Sequence, residues 1–380
     1  MIGRPEAGPA RSLPQGASSP KRKLTSLLDR LGVLDRLLWM RARLGSSRLA
    51  VLTYHRVGEP GSAGELDPAL IEVEASELEA QLAVVRTHCT IVSISDVRLF
   101  RGGKRLPPNP VLFTFDDGYA DNYRLALPIL RRAGVPATFF IPTAFPDGGK
   151  LFWWDRVWLL LRRCARERIE LDYPRRLVLE PKASPEASAR AVCGAIKRTP
   201  GLELGRLWES LDRATGVTLD KPEERALASR TIMSWSQIRE LASSGMDVQS
   251  HSHDHLVLDT LTPEAAERDL ARSSRVLEEA VGRRAYGVAY PVGYRIRGAL
   301  RKAPVDARFE LGFTNDTGLC DLPTCDPLNV PRLSMDLRDQ GAAYKLKLLL
   351  GSEPRRAADL LPAAPSAEAE ADETAKARGA

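Results

Sequence analysis

The sequence predicts an α/β protein in which parallel strands alternate with helices and a helical lobe interrupts the alternation. Three observations carry that expectation. Short β-branched and aromatic runs recur, each followed by a helical pattern with a Gly or Pro stop. The stretch 151–230 loses this rhythm and reads as helices around 154–167, 186–198 and 202–214. The two segments richest in reactive side chains, Thr114-Phe115-Asp116-Asp117-Gly118 and Ser250-His251-Ser252-His253-Asp254-His255, each follow a predicted strand.

Taken in order, residues 1–20 are rich in Pro, Gly and Ser and are expected to be disordered. Leu24, Leu27, Leu28, Leu31, Leu34 and Leu38 form an i, i+3, i+4, i+7 stripe, which predicts an amphipathic helix over 24–40. Such a stripe docks on its parent domain more often than on a membrane. A strand is expected at 49–54, ending at His55, then a helix over 76–87 and a strand at 90–94. Pro107, Pro108 and Pro110 lead into a strand at 111–115, and Gly134 stops a helix over 121–133 before a strand at 137–141. After the lobe, Ser234 and Gln237 form a capping box for a helix over 235–243, and a strand at 246–249 leads into the histidines. Thr262-Pro263 opens a long helix that Gly282 closes, and strands follow at 286–290, 310–314 and 328–334. The Ala/Glu-rich residues 352–380 read as a disordered tail. The expected organisation is thus a tail plus helix over 1–48, a β/α domain over 49–150 and 231–340, and a helical insertion over 151–230.

The 380 residues allow one large α/β domain with extensions, or two ordinary domains. The net charge of +6 is a small excess, with Arg4, Arg11, Lys21, Arg22, Lys23, Arg30, Arg36, Arg41, Arg43 and Arg48 gathered near the start. This reads as a solvated basic segment or as peripheral contact with an anionic membrane surface. No nucleic-acid reader motif is present. The cysteines, Cys89, Cys164, Cys193, Cys320 and Cys325, are odd in number and lack C-x-x-C spacing, so no disulfide is expected and a reducing compartment is favoured. No apolar run reaches the roughly 18 residues of a transmembrane helix, and no secretory signal is evident, which together suggest a cytoplasmic or inner-membrane-surface location.

The chemistry lies in the two polar segments. One carboxylate and two imidazoles make a three-ligand site for a borderline divalent metal such as zinc. A second carboxylate is then free to act as a base, and the set points to metal-assisted hydrolysis. Asp-Asp-Gly is also good turn chemistry, so solvated acids are the plain alternative. His251 and His255, at i and i+4, are expected on one face of a helical turn, with His253 between them facing elsewhere. Three of the five histidines fall within five positions, which argues against chance.

Thr-Phe-Asp-Asp-Gly followed by His-Ser-x-x-His resembles the NodB-homology polysaccharide deacetylases, carbohydrate esterase family four. Leu52-Thr53-Tyr54-His55-Arg56-Val57, Pro136-Ala137-Thr138-Phe139-Phe140 and Ala289-Tyr290-Pro291-Val292-Gly293 extend the resemblance across roughly 49–334. It implies a distorted (β/α)7-type barrel holding a divalent metal, most simply Zn2+. It implies Asp117, His251 and His255 as ligands, Asp116 as the general base, and an N-acetylated glycan as substrate. It also implies an oxyanion-binding N–H at Val292, with Pro291, Tyr119 and Arg332 near the substrate.

The chain departs from the family where an Arg usually orients the base and an aromatic residue follows: here stand Ala289 and Val292. Arg332 is the candidate replacement and Arg295 the second choice. The family also places a late His as general acid, and no His follows His255. Elimination leaves His55, His88, His253 or a non-His group as the acid. Position at the end of the first strand favours His55, whose ordinary pKa is near neutral, the plain alternative being a structural His packed against Tyr54. Trp153-Trp154-Asp155 reads as an anchor for the lobe, or as a sugar-stacking platform. The leading expectation is a metal-dependent N-deacetylase. Alternatives are an O-acetyl esterase or other amide hydrolase on the same site, and a glycan-binding pseudoenzyme.

Overall fold

The computed structural model describes residues 20–44, 48–101, 107–293, 295–321 and 324–351. The expected tails at 1–19 and 352–380 lie outside these. Seven parallel strands form a closed ring: β1 Arg48–Tyr54, β2 Pro110–Phe115, β3 Thr138–Ile141, β4 Asp247–Ser250, β5 Gly287–Ala289, β6 Leu311–Thr317 and β7 Val330–Ser334. Closure is direct, because β1 pairs with β2 from Ala50↔Val111 to Tyr54↔Phe115 and with β7 at Leu52↔Leu333 and Thr53↔Ser334. This is the distorted (β/α)7 barrel that the family resemblance implies.

The strands read as near-continuous apolar runs because both faces are covered. Along β1, Ala50, Leu52 and Tyr54 join the outer apolar layer, while Leu49 and Val51 join a smaller cluster with Leu112, Phe140, Phe313 and Val330. Alternation with period two makes that division. Val92, Ile94 and Val97 complete the smaller cluster. Val92 follows a strand that stops at Ile91, shorter than expected, and Ile94 and Val97 belong to an unexpected helix at Ile94–Arg101.

The expected N-terminal helix is two, α1 Pro20–Arg30 and α2 Val33–Arg43, separated at Gly32 with φ 68°. The left-handed backbone there breaks a continuous helix. The barrel's outer helices include α3 Ala75–His88, α4 Trp235–Ser243, α5 Pro263–Val281 and α6 Ala342–Leu350. The capping box of Ser234 and Gln237 is present, and Thr262 caps α5.

The lobe begins with the helix Trp153–Arg163 and adds helices at Pro185–Arg198, Leu204–Thr215 and Lys221–Thr231. It also holds an antiparallel hairpin, Ile169–Leu171 with Leu177–Leu179, which helical periodicity does not reveal. Its core of Phe152, Trp158, Leu160, Val192, Leu207 and Leu211 also takes in Tyr119 and Ile232 from the barrel side, which share an isolated bridge. The lobe is therefore seated on the residues that follow Asp116 and Asp117.

One expectation is corrected. Cys320 and Cys325 form a disulfide across a turn, with Cα atoms 5.7 Å apart. The amides of Thr324 and Cys325 both donate to the carbonyl of Asp321, so a local turn closes a spacing of five that the search for C-x-x-C overlooks. The cysteines therefore supply no argument for a reducing compartment. No helix among the described residues is long and apolar enough to cross a membrane.

Candidate active site

β2 delivers the acidic pair and β4 the histidines, both at C-terminal strand ends, the face where parallel barrels build their sites. Asp117 and Gly118 both adopt left-handed backbone, φ 68° and 69°. The reversal lets two adjacent carboxylates, which an extended chain would splay apart, converge on one cavity. A Cβ at Gly118 would sit 3.1 Å from Ile141 Cδ1, so glycine answers both the conformation and the space.

Asp117 Oδ1 lies 3.3 Å from His251 Nε2 and 3.2 Å from His255 Nε2, and the two Nε2 atoms are 3.2 Å apart. All three residues are buried, and Asp117 Oδ1 has no hydrogen-bond partner of proper geometry. His251 Nδ1 donates to the carbonyl of Ala289 at 2.8 Å, leaving a lone pair on Nε2. Two imidazole nitrogens and one carboxylate oxygen with no proper partner, all within 4.8 Å, fit the donor set of a zinc-class cation. Burial alone would raise the Asp117 carboxyl; the imidazoles of His251 and His255 close beside it outweigh that and hold the group far below its usual range.

The histidines do not converge through a helical turn, as their spacing suggested. The segment is a loop in which Ser252 and His255 are left-handed, φ 65° and 53°. Ser250 Oγ receives the Ser252 amide, and Ser252 Oγ receives the His255 amide. Of seven non-glycine residues with positive φ among those described, Asp117, Ser252, His255 and Val292 (φ 64°) belong to these loops. Backbone strain is thus concentrated at the site.

Asp116 is held differently. Arg332 grips it at two points, Nη1 to Oδ1 at 2.9 Å and Nη2 to Oδ2 at 2.8 Å. The guanidinium is itself placed by the Thr314 carbonyl at 3.0 Å and Asn315 Oδ1 at 2.7 Å. Burial opposes ionisation of Asp116, but Arg332 and then His251 keep its pKa below the ordinary carboxylate value. Arg295, the second candidate, pairs instead with Asp316 on the surface at 3.1 Å.

His55 lies at the rim, its side chain 24% exposed, with Nδ1 3.0 and 3.1 Å from the two oxygens of Glu72. The His55 amide also donates to Glu72, at 2.6 Å. Burial by itself would lower the imidazole pKa; Glu72, then Asp117 and Asp116, carry it up to about 10. Glu72 escaped the sequence reading. Its signal is faint: a lone acid between two buried apolar residues, Ile71 and Val73, in a three-residue strand.

Val292 and Pro291 occupy the turn after β5, where the Val292 carbonyl accepts from Asn315 at 3.4 Å. A Cβ on Gly293 would fall 2.3 Å from Asn315 Cγ, so the turn and Asn315 are packed in direct contact. Tyr119 is fully buried; its hydroxyl donates to Asp155 Oδ2 at 3.1 Å and accepts from Trp154 Nε1 at 2.8 Å. Burial pushes the Asp155 carboxyl up to about 7. The Trp154 ring lies edge-on to His255 at 4.7 Å and stacks on Phe152 at 4.5 Å. The first turn of the lobe therefore touches His255, one of the candidate metal ligands, a contact that neither the anchoring nor the sugar-stacking reading specified. His253 points elsewhere, with Nδ1 2.7 Å from Thr143 Oγ1.

Fold and site define a class: a seven-stranded parallel barrel with an Asp/His/His centre and a buried second Asp at its C-terminal face. The family model described as polysaccharide deacetylase matches residues 103–172 and 215–308, so the chain is similar to that family over these two stretches. It is 21% identical over 274 residues to YxkH of Bacillus subtilis (strain 168), whose name places it among the polysaccharide deacetylases, covering 72% of this chain and 66% of that one. A shorter match, 36% identical over 90 residues, is to the poly-beta-1,6-N-acetyl-D-glucosamine N-deacetylase of Escherichia coli (strain K12), covering 23% of this chain and 13% of that one. The chain thus spans less than two thirds of the length of these relatives. Among solved structures, the deacetylase PplD of Streptococcus pyogenes, in complex with acetate, superposes with a TM-score of 0.53 at 15% identity, over 79% of this chain and 98% of that one.

Proposed function

We propose that this protein is a metal-dependent hydrolase that removes N-acetyl groups from an N-acetylated glycan, a polysaccharide or a lipid-linked sugar. The observation that carries the proposal is the division of labour between neighbours: Asp117 turned to two imidazoles, and Asp116 turned to Arg332. A zinc-class cation, when bound by Asp117, His251 and His255, supplies Lewis acidity that polarises the acetamide carbonyl and acidifies water.

The chain's own groups do the rest. Asp116, kept ionised by Arg332, takes a proton from the attacking water. Arg332 fixes the direction of that carboxylate by its two-point grip. The Val292 amide, in a strained left-handed turn, serves the developing oxyanion, with Pro291 setting the approach. His55, protonated beside Glu72, donates to the leaving amine nitrogen. Tyr119 borders the site and holds Trp154 against it. The same tetrahedral chemistry would serve an O-acetyl ester. Against a binding-only role stands the buried Arg332–Asp116 pair, since desolvating two charges serves a base and not a lectin.

The test is acetate release from a panel of N-acetylhexosamine polymers and O-acetylated counterparts, with Asp116→Asn as control. Release from N-acetylated polymers that Asp116→Asn abolishes is expected. Release from the O-acetylated set alone would replace the N-deacetylase reading. No release from any member, with metal bound, would favour the binding role.

A further inference from the structure

The helical pair at the N-terminus takes no part in the site, yet its surface is unusual. α1 and α2 pack on one another and on α6. Leu34 and Leu38 are buried beneath α2. Both acids of the pair, Asp29 and Asp35, turn inward to Lys345, each at 2.8 Å. Arg41 also turns inward, to Asn109 Oδ1 at 2.7 Å and the Leu348 carbonyl at 2.6 Å.

What remains outside is apolar and cationic. Leu24, Leu27 and Leu31 are 58%, 52% and 62% exposed, at i, i+3 and i+7 on one face of α1. Leu37, Met40 and Leu44 repeat that spacing along α2, and exposed Trp39 lies under the guanidinium of Arg43. Seven of the twelve exposed large apolar side chains among the described residues thus fall within 24–44. Lys23, Arg30, Arg36 and Arg43 are exposed alongside them, and the two acids of the described helices, Asp29 and Asp35, are both engaged by Lys345.

We propose that the outer face of this helical pair is a docking surface for an anionic phospholipid bilayer. Exposed leucines and a tryptophan flanked by arginines are the chemistry of a helix lying in the headgroup plane. Neither helix can span, since each has 11 residues. Charge selects this occupant over a second copy of the chain, because two such faces would bring like charges together. The pairing of Asp29 and Asp35 with Lys345 is the structural device: it offsets their negative charge and leaves the exposed cations of the two helices in excess.

The experiment is co-sedimentation of the full chain with phosphatidylcholine vesicles, with and without phosphatidylglycerol. Pelleting with the phosphatidylglycerol vesicles, weakened by added salt, is expected. Replacing Lys23 and Arg30 together (Lys23→Gln, Arg30→Gln) should weaken partitioning about 30-fold, at roughly 1 kcal/mol per cation. Leu27→Glu with Leu31→Glu should abolish it. Both variants should keep the thermal transition of the parent, as all four side chains are exposed. Equal pelleting of the unaltered chain on both vesicle types overturns the proposal. So does a dimer of the unaltered chain that Leu27→Glu with Leu31→Glu dissolves while vesicle binding persists.

Discussion

Arg332 and Asp116, 216 positions apart, form a buried two-point salt bridge with both N–O distances below 3 Å, at 2.9 and 2.8 Å. The arginine arrives from the last barrel strand, although the family's usual position for such a residue is occupied here by Ala289. Closure of the ring, with β1 between β2 and β7, makes the substitution of one strand for another possible.

Arg332→Met should cost about 3–5 kcal/mol of stability, because it leaves a buried carboxylate unpaired. Asp116 has a lowered native pKa, so its contribution to stability is present above the unfolded value of 3.8 and lost as pH falls through the native one. The deficit of the variant should therefore be full at neutral pH and shrink on acidification, read by denaturant titration across pH. The acid limb of kcat/KM should move to higher pH as Asp116 becomes harder to ionise. Unchanged limbs would remove Arg332 from the control of the base.

Asp117→Asn, His251→Ala and His255→Ala should each reduce metal content after purification, measured by elemental analysis, while Asp116→Asn should retain it. Equal metal in all four variants would refute the ligand assignment independently of any assay of activity.

His55→Ala is expected to lower kcat by about 10²–10⁴, the usual range for a general acid. Glu72→Gln separates positioning from mere packing through pH. The imidazole pKa, raised to about 10, gives stability that is full below 6.5 and lost as pH rises toward 10. Glu72→Gln should flatten that dependence and draw the alkaline limb of the rate profile to lower pH. A profile identical to the parent's would leave Glu72 without influence on His55.

Trp154→Ala should weaken metal retention against a chelator about 10–100-fold, the range for groups that orient a ligand, since the ring braces His255 at 4.7 Å. Trp154→Phe keeps an aromatic ring and loses the donor to Tyr119. It should fall between the two. Equal metal retention in all three would confine Trp154 to the lobe core.

Much of this was legible in the chain itself. Strand and helix order follow from period-two and period-3.6 patterning, and the acidic pair and histidines announce themselves by composition and by following strands. The rest depended on contacts between distant segments. Glu72 has no pattern of its own and matters only because a short parallel pairing of Arg56–Val57 with Ile71–Val73 sets it against His55. The Ala289 carbonyl that orients His251 is backbone, which side-chain identity cannot signal. Trp154 reads as a core anchor until the lobe is seated on Tyr119. The convergence of His251 and His255 comes from two left-handed residues, a choice of backbone that spacing alone misassigns to a helix.

The sequence by itself determined the alternation of elements and the clustering of Asp116, Asp117, His251 and His255 after strands, because local periodicity and clustered chemistry are written in neighbouring positions, while the closed barrel was expected from the family resemblance. Only the tertiary structure decided which arginine holds Asp116, what charges His55, and that the acids of the N-terminal helices pair with Lys345. Each is an encounter between segments remote in the chain, and its energy depends on burial and distance, which exist only once the barrel has closed.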